Sequence, residues 1–256
     1  MTVRVPAVVM TAPGSNRDPD AVFALEQAGA DARLVSVFDL IEKPTLLDDA
    51  GLVMLAGGFT YGDALGAGKL WALDLTHRLG DALGAHVQRG RPLLGVCNGF
   101  QALVQAGFLP GGHATAALAP NANGRFECRW VTLTPVSDHC IWTRQLDEPI
   151  DCPVAHGEGR FVADETTVSR LEAHDLVALR YASPEGAAAK GAYPANPNGS
   201  VNDIAGICDA TGLVLGLMPH PEDHAVPRQH PRHRRGVIGR LGLSLFREGV
   251  RHAAGL

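Results

Sequence analysis

The sequence predicts an α/β fold: a mostly parallel central sheet flanked by helices on both faces, with an added antiparallel portion in the second half. Three observations lead there. Short apolar, β-rich runs alternate with segments of helical spacing through the first half, the pattern of a parallel sheet covered on both sides. The second half carries strand-like runs with few helices between them. The 256-residue chain is 46% apolar, which suffices for the core of one large domain, and no linker or internal repeat divides it. A single domain over 1–256 is expected.

The elements follow in order. Val3 to Met10 reads as a first strand, and Pro13-Gly14-Ser15-Asn16 as a loop. Asp18-Pro19 then opens a helix, Asp as cap and Pro at the first helical position, running to about Ala28 and stopping at Gly29. Arg33 to Phe38 is a second strand; Gly51 to Ala56 is a buried third, ending in Gly57-Gly58. Leu70, Leu73, Leu79 and Leu83 give helical spacing from Leu70 to about Val87. Pro92 to Val96 is a fourth buried strand, with a helix opening just after Cys97. Beyond it, Phe126 to Leu133, Leu176 to Ala182, Ile204 to Cys208 and Leu213 to Met218 read as strands. Asp209-Ala210-Thr211-Gly212 reads as a hairpin turn between the last two, and Val237 to about His252 has helical spacing.

A net charge of -5 argues against a general nucleic-acid binder, which usually carries the opposite sign. No apolar run approaches the roughly 18 residues that cross a bilayer, and Met1 to Met10 lacks the layout of a signal peptide. A soluble, cytoplasmic protein is expected. The cysteines are Cys97, Cys128, Cys140, Cys152 and Cys208: an odd number, with no C-x-x-C pair, so neither a zinc knuckle nor a disulfide framework is indicated.

One cysteine stands apart. Gly95-Val96-Cys97-Asn98-Gly99 is the thiol version of the nucleophile elbow, in which a nucleophile on a sharp strand-to-helix turn needs neighbours with little side chain. At a helix N-terminus the free N–H groups and the dipole favour the reactive thiolate. The bland alternative is a buried structural cysteine beside two loop glycines. Such a nucleophile needs a base held by a third group. His220, in Pro219-His220-Pro221-Glu222 just past a strand end, is the candidate, with Glu222 to fix its tautomer and two prolines to stiffen the segment. A solvent-facing histidine in a proline-rich turn is the alternative there. His220 and His224 also stand four apart, as helical zinc ligands do, but Pro221 between them argues against a regular helix, and no metal site is expected.

Attack on an amide carbon calls for two N–H donors aimed at the developing oxyanion. The Asn98 backbone offers one, and the Gly57-Gly58-Phe59 loop the other; its glycines let an N–H point towards or away from the oxyanion at low cost. A plain βα turn, or a phosphate cradle lacking the G-x-x-x-x-G-K-[ST] order, are the other readings.

Gly95-Val96-Cys97-Asn98-Gly99-Phe100-Gln101 together with Pro219-His220-Pro221-Glu222 resembles the class I glutamine amidotransferases. Gly57 to Asp63, His156-Gly157-Glu158-Gly159-Arg160-Phe161 and Asn196 to Gly206 resemble, more narrowly, the glutaminase component of phosphoribosylformylglycinamidine synthase. The resemblance implies a triad of Cys97, His220 and Glu222, and substrate or oxyanion contacts from Gly57, Gly58, Phe59, Asn98 and Gln101. It implies L-glutamine as substrate, a γ-glutamyl thioester, and release of ammonia to a partner synthetase of purine synthesis. It implies no cofactor in this chain; ATP and magnesium would be used by the partner, and a small third subunit can accompany it. Two positions depart from the pattern: Gly66 and Asp223 stand where arginine is usual. The stretch Arg228 to Arg235, with four arginines and two histidines, matches no family block and reads either as a solvated loop or as a docking surface. An amidotransferase of another pathway, a free-standing cysteine hydrolase and a non-enzymatic regulatory subunit remain the competing readings.

Overall fold

The computed structural model describes residues 4–112 and 115–255. It contains a nine-stranded sheet and a separate two-stranded one. The strands are β1 (Val5–Thr11), β2 (Ala30–Ser36), β3 (Leu52–Leu55), β4 (Leu93–Val96), β5 (Ala116–Ala119), β6 (Glu127–Pro135), β7 (Ile150–His156), β8 (Arg160–Ala163), β9 (Val177–Ala182), β10 (Ile204–Cys208) and β11 (Val214–Leu217). The helices are α1 (Asp18–Gln27), α2 (Val37–Glu42), α3 (Lys69–Asp74), α4 (Gly80–Gln88), α5 (Asn98–Gln105), α6 (Glu165–Ala173) and α7 (Leu243–Ala254).

The order in the large sheet is β2-β1-β3-β4-β11-β10-β9-β6-β7. From β2 to β11 every pairing is parallel; from β11 to β7 every pairing is antiparallel. The expected parallel sheet with an antiparallel extension is therefore one continuous layer. Its central strands β3, β4, β10 and β11 are buried at every residue, as their unbroken apolar runs require. Helices α1 and α7 pack together on one face, and α3 and α5 on the other. No helix among the described residues is long and apolar enough to cross a membrane.

Several boundaries differ from expectation for identifiable reasons. Val3 lies outside the described residues. Helix α1 starts one residue earlier, with Arg17 at the cap position making no side-chain capping bond, and Asp18 instead accepts a hydrogen bond from Thr11 Oγ1 at 2.8 Å. The second strand ends at Ser36, whose hydroxyl accepts from the Phe38 N–H and starts α2. The long helix expected over 70–87 is interrupted by a π-helical turn at Leu75–Leu79, immediately before Gly80, a poor helix former. Val237 to Leu241 is not helical: Gly239 has φ +72°, and α7 begins only after Gly242. Strands β5, β7 and β8 and helix α6 were not anticipated.

Parallel pairing positions the site. In register, Leu55 of β3 faces Gly95 of β4, and Val96 of β4 faces Leu217 of β11. The segments leaving these three strands, Ala56-Gly57-Gly58, Cys97 and Met218-Pro219-His220, therefore emerge side by side on one edge. That is where ligands collect in open α/β sheets.

Candidate active site

Cys97 sits on the turn between β4 and α5 with φ 51° and ψ −105°, outside the favoured regions for a residue with a side chain. Its glycine neighbours are steric necessities. A Cβ on Gly95 would lie 2.6 Å from Leu103 Cδ1, and one on Gly99 would lie 2.3 Å from the Leu55 carbonyl oxygen. The thiol is 4% exposed, and the Ala155 carbonyl on β7 is 3.9 Å from Sγ. Asn98 is the first residue of α5, so its N–H has no partner in the helix.

His220 follows β11, its backbone N–H bonded to the Pro153 carbonyl at 2.8 Å. Its Nδ1 donates to Glu222 Oε1 at 2.7 Å, so Nε2 is the ring nitrogen not committed to the carboxylate. Both side chains are buried. Burial alone would lower the His220 pKa; the Glu222 carboxylate and Cys97 outweigh it and hold the imidazolium well above the usual histidine range. Gly57 joins the group: a Cβ there would be 2.7 Å from His220 Cε1 and 3.5 Å from Cys97 Cβ. Cys97, His220, Glu222 and Gly57 thus converge from three strand ends.

The Gly57-Gly58-Phe59 loop is held, not free. The Gly57 carbonyl accepts from the N–H groups of Asn16 and Arg17 at 3.4 and 3.3 Å, Gly58 bridges to Ser15, and the Phe59 N–H donates to Gly14. Because a trans peptide sets its N–H opposite its carbonyl, the Gly58 N–H faces away from Asn16 and Arg17. A turn of the Gly57–Gly58 peptide would break both of these contacts. Phe59 itself is 43% exposed and stacks on the exposed Phe126 ring at 6.4 Å.

A cavity of about 140 Å³ opens beside the thiol, lined by Gly58, Phe59, Cys97 and Gln101 among the expected residues. The carboxamide of Gln101 is already engaged, accepting from Asn98 Nδ2 at 2.9 Å and donating to the Glu158 carbonyl at 2.5 Å. Asn98 Oδ1 takes both the N–H and the hydroxyl of Thr60. Sequence reasoning missed Asp63, Phe126, Ala155, His156 and Glu158 as lining residues, although Asp63, His156 and Glu158 lie inside blocks that carried the resemblance.

His156 has a determinable tautomer. The Asn121 amide nitrogen donates to the Arg125 and His156 carbonyls, both at 2.8 Å, so its oxygen must face His156 Nδ1 and the Gly159 N–H. Nδ1 therefore carries the hydrogen and Nε2 the lone pair, which has no hydrogen-bond partner among the described residues. Burial, then His220, depresses the pKa of His156 to about 4; burial does the same to His86, at about 4.

Both rings are neutral in the folded chain but take protons below about pH 6.5 when unfolded. The unfolded chain then binds more protons between pH 6.5 and 4, so stability falls as pH drops through that window. The expected loss at pH 5 is about 2 kcal/mol for each ring. Urea denaturation at pH 7 and pH 5 measures it, and His86→Gln should remove about half of the slope. An unchanged slope in that variant would rule out His86 as a source.

Asp223, one of the two departures from the resemblance, receives a guanidinium from elsewhere. Arg17 Nη1 lies 3.6 Å from Asp223 Oδ1 and also bonds Asp20 at 3.3 Å. Burial and the Glu222 charge push Asp223 up to about 6, against His220 and Arg17. Gly66 has φ +116°, a conformation arginine rarely adopts. In the basic stretch, His230 packs edge-on against Trp130 at 4.8 Å and Gln229 Nε2 donates to the Glu222 carbonyl at 3.3 Å, so the loop is anchored behind the site.

Comparison with known proteins shows the family. The CobB/CobQ-like glutamine amidotransferase domain matches residues 4–253. The phosphoribosylformylglycinamidine synthase subunit PurQ of Treponema denticola is 43% identical, over 96% of this chain and 98% of its own length. PurQ of Methanococcus maripaludis is 41% identical over 85% of this chain and 82% of its own. The structure of PurLQS from Thermotoga maritima superimposes with a TM-score of 0.75 at 32% identity, covering 97% of this chain and 99% of the matched one. The chain belongs to the CobB/CobQ-like glutamine amidotransferases and, within them, to the PurQ family.

Proposed function

We propose that this chain is the glutaminase subunit of a cytoplasmic phosphoribosylformylglycinamidine synthase. The observation that carries the reading is the convergence of Cys97 with the buried His220–Glu222 pair beside one small cavity. The Cys97 thiolate attacks the side-chain amide carbon of glutamine, and the N–H groups of Asn98 and Gly58 receive the oxyanion. The His220 imidazolium protonates the departing nitrogen, leaving a γ-glutamyl thioester and ammonia. Neutral His220 then takes a proton from water, whose hydroxyl attacks the thioester; the C–S bond breaks, glutamate leaves, and the thiolate beside the imidazolium is restored. Glu222 keeps the ring oriented and stabilises its charge.

The ammonia passes to a synthetase, which uses ATP and magnesium to convert the formylglycinamide ribonucleotide to its amidine. PurLQS supports a partnership with PurL-like and PurS-like chains. The surface around the cavity supports it too. Phe59 and Phe126 line the cavity and are 43% and 53% exposed, an apolar lip suited to being covered by a partner.

The test compares glutamate release by the free chain with release by the complex supplied with the nucleotide and ATP. A rise of about 10² to 10³ is expected, because covering the lip completes a geometry in which small displacements or one lost donor cost that much. With the loop already clamped at Gly57, closure of the lip, not a peptide flip, is the expected source. A free chain as fast as the complex would instead identify a free-standing hydrolase.

A further inference from the structure

We propose that Asp63 and Glu158 hold the α-ammonium group of the substrate glutamine, and so set the specificity of this site for an amino acid over a simple amide; the assignment rests on the glutaminase reading. Both residues line the cavity that contains Cys97. Asp63 is placed by a left-handed backbone, φ 51°, and its Oδ1 accepts from the side chain of Asn98, the residue after the nucleophile, at 3.1 Å. Glu158 is tied to the same wall twice. Its Oε2 stands 3.4 Å from the Ala67 N–H, and its carbonyl receives the Gln101 amide.

Neither carboxylate has an ion-pair partner among the described residues. No lysine or arginine among the described residues lines the cavity. The two acids feel one another: burial, and then the charge of Glu158, hold Asp63 above the usual carboxylate range. An independent deficit lies on the same wall. His156 is 3% exposed, its Nε2 lone pair has no partner, and it lines this cavity. Among the described residues the wall thus offers two carboxylates without a cation and one buried acceptor without a donor, and buried acceptors left in that condition are costly. A ligand bearing an ammonium group and a carboxamide supplies both. Glutamine carries the two groups at opposite ends of a short chain, so its amide can reach Cys97 while its ammonium rests on the acidic wall.

The experiment uses the assembled complex and two substrates, glutamine and glutaramate, which has the same carboxamide chain without the α-amino group. The wild-type complex should prefer glutamine strongly in kcat/KM. Glu158→Gln and Asp63→Asn should each shrink that preference about 10- to 100-fold, the effect of losing one charge-assisted contact, chiefly through the KM for glutamine. If either variant lowers kcat/KM for both substrates in parallel, leaving their ratio unchanged, the carboxylates are structural and the proposal is overturned. A wild-type complex that hydrolyses both equally also overturns it while leaving the glutaminase reading intact. A wild-type complex that hydrolyses neither overturns the glutaminase reading and this assignment with it.

Discussion

Cys97→Ala is expected to abolish glutamine-dependent synthesis in the assembled complex while leaving synthesis from added ammonium salts. The split follows from the chemistry: the thiol serves only to release ammonia, and the partner needs only ammonia. Loss of a covalent nucleophile should lower glutamine hydrolysis by about 10⁴-fold or more, since the remaining members of such a constellation give little rate alone. The measurement is product formation with each nitrogen source at matched complex concentration. The other thiols supply the control. Cys128 is exposed on β6, while Cys140, Cys152 and Cys208 are buried in the core. Replacing Cys128 with alanine should leave glutamine hydrolysis intact. Full activity in Cys97→Ala, or equal loss in Cys128→Ala, would remove Cys97 from its role.

The features that were legible in the sequence are those fixed by neighbouring residues. The elbow at Cys97 could be read because the steric demand falls on Gly95 and Gly99, two positions away on either side. The His220–Glu222 pair could be read because two prolines and a spacing of two hold both on one short segment. The buried strands of the parallel half announced themselves as unbroken apolar runs. The missed features depend on distant chain segments. Strand β7 has its odd positions, including Asp151, Pro153 and Ala155, only half-buried, so its apolar signal is diluted, yet it brings Ala155 and His156 to the thiol. Glu158 meets Gln101 across 57 residues of sequence, a separation no local pattern encodes. The clamp on Gly57 comes from backbone N–H groups of Asn16 and Arg17, which any residue but proline could supply. The false helical start at Val237 has the converse origin. Ile238 and Leu241 fit a 3.6-residue period, but a Cβ at Gly239 would press within 2.6 Å of His224, and the segment runs as a strap over that ring.

Glu222→Gln should lower kcat for glutamine by about 10- to 10⁴-fold, and His220→Ala at least as much, by analogy with the loss of an orienting carboxylate or of the base in other triads. The expected mechanism is electrostatic as well as geometric. Glutamine can still touch Nδ1, but it can do so through its own N–H, which would turn the imidazole to the wrong tautomer. It also removes the leading influence that raises the His220 pKa against burial. In the intact chain the imidazolium is lost only as pH rises through its elevated pKa. In Glu222→Gln the burial cost is left less opposed, so the alkaline limb of kcat/KM should move towards lower pH. A pH profile separates this from a packing defect, which would scale the curve without moving its limb. His156 is the alternative base to consider if both variants keep full activity. Its depressed pKa of about 4 keeps the ring neutral, and Asn121 fixes Nδ1 as the donor, so Nε2 is free to accept a proton. A base whose conjugate acid is that strong is a poor one at neutral pH. Unchanged rates in both Glu222→Gln and His220→Ala would nonetheless move the base to His156, and full loss in His220→Ala with a shifted limb in Glu222→Gln would keep it on His220.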